Sequence, residues 1–285
     1  MNLSSFFFYF LLLFLSLFCI NYFLIKLKIS LDKETTDEEH KSLLRSDSST
    51  PLSGTLYFLP IILFLFLKID YLLSILCSLI FILGFFADLK IITSHTKRLI
   101  IQFCLIFIFL FLQKNILINT RIEFIDILMN YELTRILLCT FFLMVLVNGY
   151  NFIDGTNCLC SLNFLIITIF IILVIKHLDI EYASQELKIL SISIVIFLIF
   201  NFFGKNFLGD GAVYGLSFLL AYILIKIHLI DESISPYFIA NLFWYPAFEN
   251  LFSIIRRNLT KRNNYLPDND HLHHLIYKCY KKKWG

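Results

Sequence analysis

The sequence lacks most of what a water-soluble protein needs. Only 16% of its 285 residues are charged, where a soluble domain carries roughly a quarter, while 59% are hydrophobic and the mean hydropathy is +0.79. So few polar side chains cannot cover a water-exposed surface of this size. That excludes a disordered chain, a secreted disulfide scaffold and an ordinary cytosolic enzyme. Short segments of alternating polarity are missing, which excludes a transmembrane barrel. No phosphate-binding G-x-x-x-x-G-K-[ST] or G-x-G-x-x-G loop occurs, and His271-Leu272-His273-His274 lacks the spacing of a zinc protease helix. The seven cysteines lie mostly inside apolar runs; Cys158 and Cys160 are two apart with no second pair, so neither disulfides nor a cysteine-bound metal is expected. No nucleic-acid motif and no internal repeat is present.

What is present is a series of long apolar runs, among them Phe6–Ile25, Tyr71–Phe86, Leu99–Leu112, Leu159–Ile175 and Ile189–Phe203. A helix needs about 20 apolar residues to cross the hydrocarbon core. The fold class is therefore all-α, a polytopic helical membrane protein. About nine transmembrane helices are expected, near 5–27, 54–68, 70–87, 98–113, 133–150, 158–175, 187–203, 211–230 and 235–254. The first run reads as a span and not as a cleavable leader, because its basic residues, Lys26 and Lys28, follow the apolar stretch. Residues 1–285 are read as one transmembrane catalytic domain, with a polar loop at 28–53 and a basic tail at 255–285. The segment 114–132, alternating apolar and charged, is expected along the membrane surface.

Basic residues set the orientation, since Lys- and Arg-rich loops stay in the cytoplasm. Of the 24, 17 fall in or beside the connections 28–53, 88–97, 148–157, 204–210 and the tail. That places the N-terminus outside and the C-terminus in the cytoplasm. Lys281–Lys283 fit anionic lipid head groups.

The informative polar residues collect in those same inside connections: Asp88, Lys90, Lys97 and Arg98; Asn148, Asn151, Asp154 and Asn157; Asp210; and Arg256, Arg257, His271, His273 and His274. The four members spaced by three drift round a helix by about 60° per step, so they do not share a narrow face, and Gly155 is expected to end the regular structure before Asn157. Carboxylates beside basic and imidazole groups suit Mg²⁺ held together with phosphates, because Mg²⁺ usually takes one or two carboxylates plus substrate oxygens. The residues alone lead to a metal-and-phosphate site on the cytoplasmic face.

Five blocks in order resemble the bacterial polyprenyl-phosphate N-acetylhexosamine-1-phosphate transferases. They are Thr50–Gly54; Gly84–Lys90 with Lys97–Leu99; Asn148–Asn157; Phe200-Asn201 through Phe207–Gly211; and Pro246 through Arg256-Arg257 to His271–His274. The last block is closer to the surface-polysaccharide branch, the undecaprenyl-phosphate N-acetylglucosamine-1-phosphate transferases, than to the peptidoglycan branch. The resemblance implies transfer of a sugar-1-phosphate from a UDP-N-acetylhexosamine to undecaprenyl phosphate, with release of UMP, at the inner face of a bacterial plasma membrane. It implies Asp210 as the main Mg²⁺ ligand (Mn²⁺ being the alternative ion), with Asp88 beside the metal and the lipid phosphate. Asn148, Asn151, Asp154 and Asn157 are implied at the nucleotide, Lys97 beside the diphosphate with Arg256 and Arg257 also on the substrate, and His271, His273 and His274 at the phosphate and sugar. The expected partners are the two substrates, membrane lipids and optionally a second copy as a homodimer, with no nucleic acid.

Three departures stand out. The family usually has two adjacent acids where this chain has Ala87-Asp88, a glycine where it has Cys158, and Gly-Gly where it has Ser53-Gly54. Without the first acid, either Asp88 acts alone, or the lipid phosphate attacks already ionised, or activity is impaired. The rival readings are the phospho-N-acetylmuramoyl-pentapeptide transferase of peptidoglycan synthesis and an inactive or transport homologue.

Overall fold

A computed structural model describes residues 3–32, 50–113, 119–259, 272 and 276. The described chain is helical apart from one two-stranded ribbon. In order it forms α1 (Leu3–Leu27), β1 (Leu31–Asp32), β2 (Thr50–Pro51), α2 (Gly54–Phe66), α3 (Tyr71–Asp88), α4 (His95–Gln113), α5 (Glu123–Met129), α6 (Glu132–Ile153), α7 (Leu159–His177), α8 (Ser184–Phe202), α9 (Gly209–Ile230), α10 (Pro236–Leu242) and α11 (Trp244–Leu259). The strands pair antiparallel, Leu31 with Pro51 and Asp32 with Thr50.

Seven helices, α1, α3, α4, α6, α7, α8 and α9, are long and apolar enough to cross a bilayer; α2 is apolar but only 13 residues long. Their side chains are apolar nearly all round, so large residues such as Phe7, Phe64 and Phe202 remain exposed. In water such surfaces would be an aggregation hazard; lipid accepts them. The fold is an all-α, multi-pass membrane protein.

Helix α9 is the hub. In its apolar stretch 78% of residues are buried, against 22–44% in the other six long helices. It packs on α2, α3, α6 and α7. Lipid gives no hydrophobic drive between helices, so small residues that let backbones approach closely matter most. A Cβ on Gly84 would lie 2.3 Å from the Gly211 Cα, so α3 and α9 touch backbone to backbone just inside the end where Asp88 and Asp210 meet.

Polar contacts mark the two ends of the bundle. At one end the last turns of α3, α6 and α8 meet the first turns of α2, α4, α7 and α9. At the other, Asp70 caps α3 by accepting the Leu73 N–H and also accepts from Gln113 and Tyr222, tying α3, α4 and α9.

The stretch 235–254, expected as one span, is instead two helices that break at Phe243. Pro246 supplies the reason. It lacks an N–H, and the break places it in the first turn of α11, where that donor has no partner within the helix. Helix α11 lays Glu249, Asn250 and Ser253 against the protein and leaves Phe248, Leu251, Phe252, Ile254 and Ile255 exposed. It crosses α6 closely: a Cβ on Gly149 would meet the Pro246 carbonyl oxygen at 2.1 Å, and the Asn250 amide donates to the Val145 carbonyl at 2.8 Å.

Candidate active site

The site begins with the loop that delivers Asp210. Residues 203–208 are fixed from two sides. The Asn201 Oδ1 accepts the Cys158 N–H at 2.9 Å and the Ser161 hydroxyl at 3.1 Å, while its Nδ2 donates to the Asn206 carbonyl at 2.7 Å. One buried amide thus joins the end of α8, the start of α7 and the loop. On the other side, Phe207 N–H donates to the Pro51 carbonyl at 3.0 Å and the Phe207 carbonyl accepts from Ser53 N–H at 3.1 Å. The Thr50–Gly54 and Phe207–Gly211 blocks, far apart in sequence, are therefore neighbours.

Gly209 then turns the chain into α9 with φ +77°, a conformation that costs other residues roughly 1–2 kcal/mol. It also makes room: a Cβ there would lie 2.6 Å from the Asp88 Oδ2. Asp88 accepts the Asp210 N–H at 2.9 Å through Oδ1 and the Gly211 N–H at 3.5 Å through Oδ2. It caps the N-terminus of α9, where a helix favours negative charge. The next carboxylate, Asp210, receives Arg98 Nη1 at 2.5 Å and the Tyr214 hydroxyl at 3.4 Å, both on Oδ2. Arg98 Nη2 in turn donates to His95 Nδ1.

Arg98 stood among the polar residues of the inside connections, but the sequence assigned it no role; the place beside the diphosphate went to its neighbour Lys97. Lys97 is exposed on the outer side of the same helical turn. The distinguishing signal lies in the structure. The buried residues Gln102, Ile106 and Phe109 define the inner face of α4, and stepping back four from Gln102 reaches Arg98. Asn201 and Tyr214 were missed as well, since neither sits in a charged cluster.

The remaining candidates divide. Asn148, in the last turns of α6, donates to Gln102 Oε1 at 3.2 Å and to the Met144 carbonyl at 2.9 Å, linking α6 to α4. Helix α6 ends at Ile153, before Gly155, as the spacing predicts. Asn151 and Asp154 are half-buried and Asn157 is exposed, its Nδ2 3.9 Å from where a Gly204 Cβ would stand. Arg256 lies on α11 over the Phe252 ring, 5.8 Å from its centre. His271, His273 and His274, and the Arg257 side chain, lie outside the described residues. Leu272 is described, and its N–H donates to the buried Glu249 Oε1 at 2.7 Å.

Among the described residues no group of three or more His, Cys, Asp or Glu side chains could hold a metal alone. Two carboxylates do converge, and the Asp210 side chain keeps 26% of its surface exposed. That donor set fits an ion completed by substrate phosphates, the usual habit of Mg²⁺. Among the described residues it falls short of the three or four protein ligands that zinc sites take.

The sequence profile of glycosyl transferase family 4 matches residues 71–228, more than half of the chain. The chain belongs to glycosyl transferase family 4. No curated protein matches it significantly. The matched stretch contains Asp88, Arg98, Asn148–Asn157, Asn201 and Asp210, so the geometry above lies within the family region. Membership makes the chain a membrane-embedded sugar-phosphate transferase of the polyprenyl-phosphate type.

Proposed function

We propose that this family 4 transferase moves N-acetylhexosamine-1-phosphate from a UDP-N-acetylhexosamine to undecaprenyl phosphate. UMP leaves, and a lipid-linked surface glycan such as O-antigen or capsule is started. The bundle end carrying Asp88 and Asp210 faces the cytoplasm of a bacterial cell, in keeping with the distribution of basic residues. The single observation that carries the reading is the convergence of Asp88, Asp210 and Arg98 at one end of a lipid-facing bundle. There a water-soluble diphosphate and a membrane-bound phosphate can meet.

In the transfer, an oxygen of the lipid phosphate bonds to the β-phosphorus of the donor. The bond from that phosphorus to the bridging oxygen breaks, and the bridging oxygen leaves with UMP. Mg²⁺ held by Asp210, with Asp88 beside it, would neutralise charge on the diphosphate, where phosphoryl transfer gains most. Arg98 and Lys97 add positive charge at the same helix end. Asn148, Asn151, Asp154 and Asn157 serve the nucleotide; Arg256, Arg257, His271, His273 and His274 serve phosphate and sugar.

Both oxygens of Asp88 point at the amides of α9, so Asp88 is better placed to hold that helix than to take a proton. With Ala87 where the family has another acid, the lipid phosphate attacks in its ionised form. Its second ionisation lies near pH 6, so no base is required at neutral pH.

The test is a donor panel. Protein purified in detergent is incubated with Mg²⁺, undecaprenyl phosphate and each of several UDP-sugars, and UMP is measured. Turnover with an unmodified UDP-N-acetylhexosamine supports the proposal. Turnover only with the UDP-muramoyl-pentapeptide assigns the chain to the peptidoglycan branch, and none with any donor contradicts the reading.

A further inference from the structure

Asp210 is spoken for. Its Oδ2 receives Arg98 Nη1 at 2.5 Å and the Tyr214 hydroxyl at 3.4 Å. The neighbouring Asp88 oxygens are directed at the Asp210 and Gly211 amides. A divalent ion drawn to Asp210 therefore approaches a carboxylate that already holds a guanidinium. Two cations on one carboxylate oxygen repel strongly, and at a site only partly exposed, with side-chain exposures of 11% for Arg98 and 26% for Asp210, water screens that repulsion weakly.

Arg98 is built to leave. It stands in the first turn of α4, four residues into the helix, on a long flexible stem. Its three donor positions are unequally served. Nη1 reaches Asp210 and Nη2 reaches His95, but Nε is buried with no hydrogen-bond partner among the described residues. A guanidinium fork with an unserved edge gains most from an acceptor offering two oxygens in one plane. A diphosphate can offer such a pair; the Asp210 carboxylate, as held here, gives Arg98 only one of its two oxygens. Among the described residues Arg98 faces His95 from its own helix, Asp210 and Tyr214 from α9, and the nearby Asp88 carboxylate, whose oxygens are directed at the α9 amides, so its hydrogen bonds to a carboxylate go to Asp210 alone.

We propose that Arg98 is the resident counter-ion of Asp210 and a positioning residue for the donor. It holds the carboxylate while no ion is bound, yields Oδ2 when ion and donor arrive together, and then pairs with the diphosphate oxygens. The ion is thereby bound weakly until the donor is present. This inference rests on the reading of Asp210 as a metal ligand.

The test uses Mn²⁺ alone, followed by electron paramagnetic resonance, on purified wild type, Arg98→Gln, Arg98→Lys and the double variant Arg98→Gln with Asp210→Asn. Without nucleotide, Arg98→Gln should bind Mn²⁺ about tenfold more tightly than wild type, since a like charge has been removed. Arg98→Lys should stay near wild type, and the double variant should lose the gain. With excess Mn²⁺, UDP should bind about tenfold more weakly to Arg98→Gln, with Arg98→Lys between. A purely structural role for Arg98 would weaken both kinds of binding together. Equal Mn²⁺ affinity in wild type and Arg98→Gln, while Asp210→Asn still abolishes UMP release, overturns this inference and leaves the metal assignment standing. A gain that survives in the double variant places the ion elsewhere and overturns both. Unchanged UDP binding overturns the transfer of Arg98 to the diphosphate.

Discussion

Asp88 and Asp210 are joined through the backbone: one oxygen of Asp88 accepts the N–H of Asp210 at 2.9 Å, so the last residue of α3 caps the first turn of α9. The two carboxylates are not equivalent. Asp88 fixes the helix, and Asp210 keeps part of its side chain exposed.

Asp88→Ala removes the acceptor for two amides and should lower stability by about 1 kcal/mol, the usual worth of an N-terminal cap. Asp88→Asn keeps an acceptor oxygen and should stay closer to wild type. Thermal unfolding in detergent reads the difference. Equal loss in both variants would show that the carboxylate's charge, and not the cap, is what matters.

Cys158 sits between α6 and α7 at φ +69°, where L side chains are strained, and its N–H is held by Asn201. The glycine that resembling sequences carry there has this physical explanation. Burial also pushes the Cys158 thiol above the ordinary cysteine value, which disfavours its thiolate. Cys158→Gly should raise stability by about 0.5–1 kcal/mol, the relief of left-handed strain less the added freedom of the unfolded chain. An unchanged or lowered unfolding temperature would argue against strain at this position.

If the lipid phosphate attacks already ionised, restoring an acid at the half-buried Ala87 should bring little. Ala87→Asp should change kcat at pH 8 by less than about threefold, whereas a missing general base would be worth about 100-fold or more. In wild type, the rate should rise through about pH 6 with the second ionisation of a phosphate monoester and then level. The sign follows from the attacking form being the dianion, which is depleted below that pH. A plateau reached only at much higher pH would contradict the proposal.

Glu249 accepts the Leu272 N–H and holds Leu272 against α11. Glu249→Ala should speed hydrogen exchange of the Leu272 amide by about tenfold, roughly the worth of one hydrogen bond. Glu249→Gln, still an acceptor, should change it less. Exchange unaltered in both variants would mean that the contact does not protect this amide.

Much of the fold was legible in the sequence because lipid is an undemanding solvent. A run such as Leu159–Ile175 has no alternative to a span, and composition alone decided the class. The same uniformity hid the rest. Where a helix is apolar on every side, periodicity does not say which side faces the bundle, so Lys97 and Arg98 looked alike until Gln102 was seen to be buried. The apolar content of 235–254 masked the break that Pro246 imposes at Phe243. Asp88 and Asp210 stood out for the opposite reason, as charges at the ends of greasy runs. Their separate roles depend on a backbone contact between residues 122 positions apart, which no local pattern records.

In the proposed transfer the sugar leaves its nucleotide still attached to the β-phosphate. The most direct measurement follows a donor UDP-N-acetylhexosamine labelled at the β-phosphorus, incubated with purified protein, Mg²⁺ and undecaprenyl phosphate. The label should pass into the lipid phase as UMP appears in equal amount, and Asp210→Asn should stop both. Release of labelled UDP, with unlabelled sugar on the lipid, would contradict the proposed transfer.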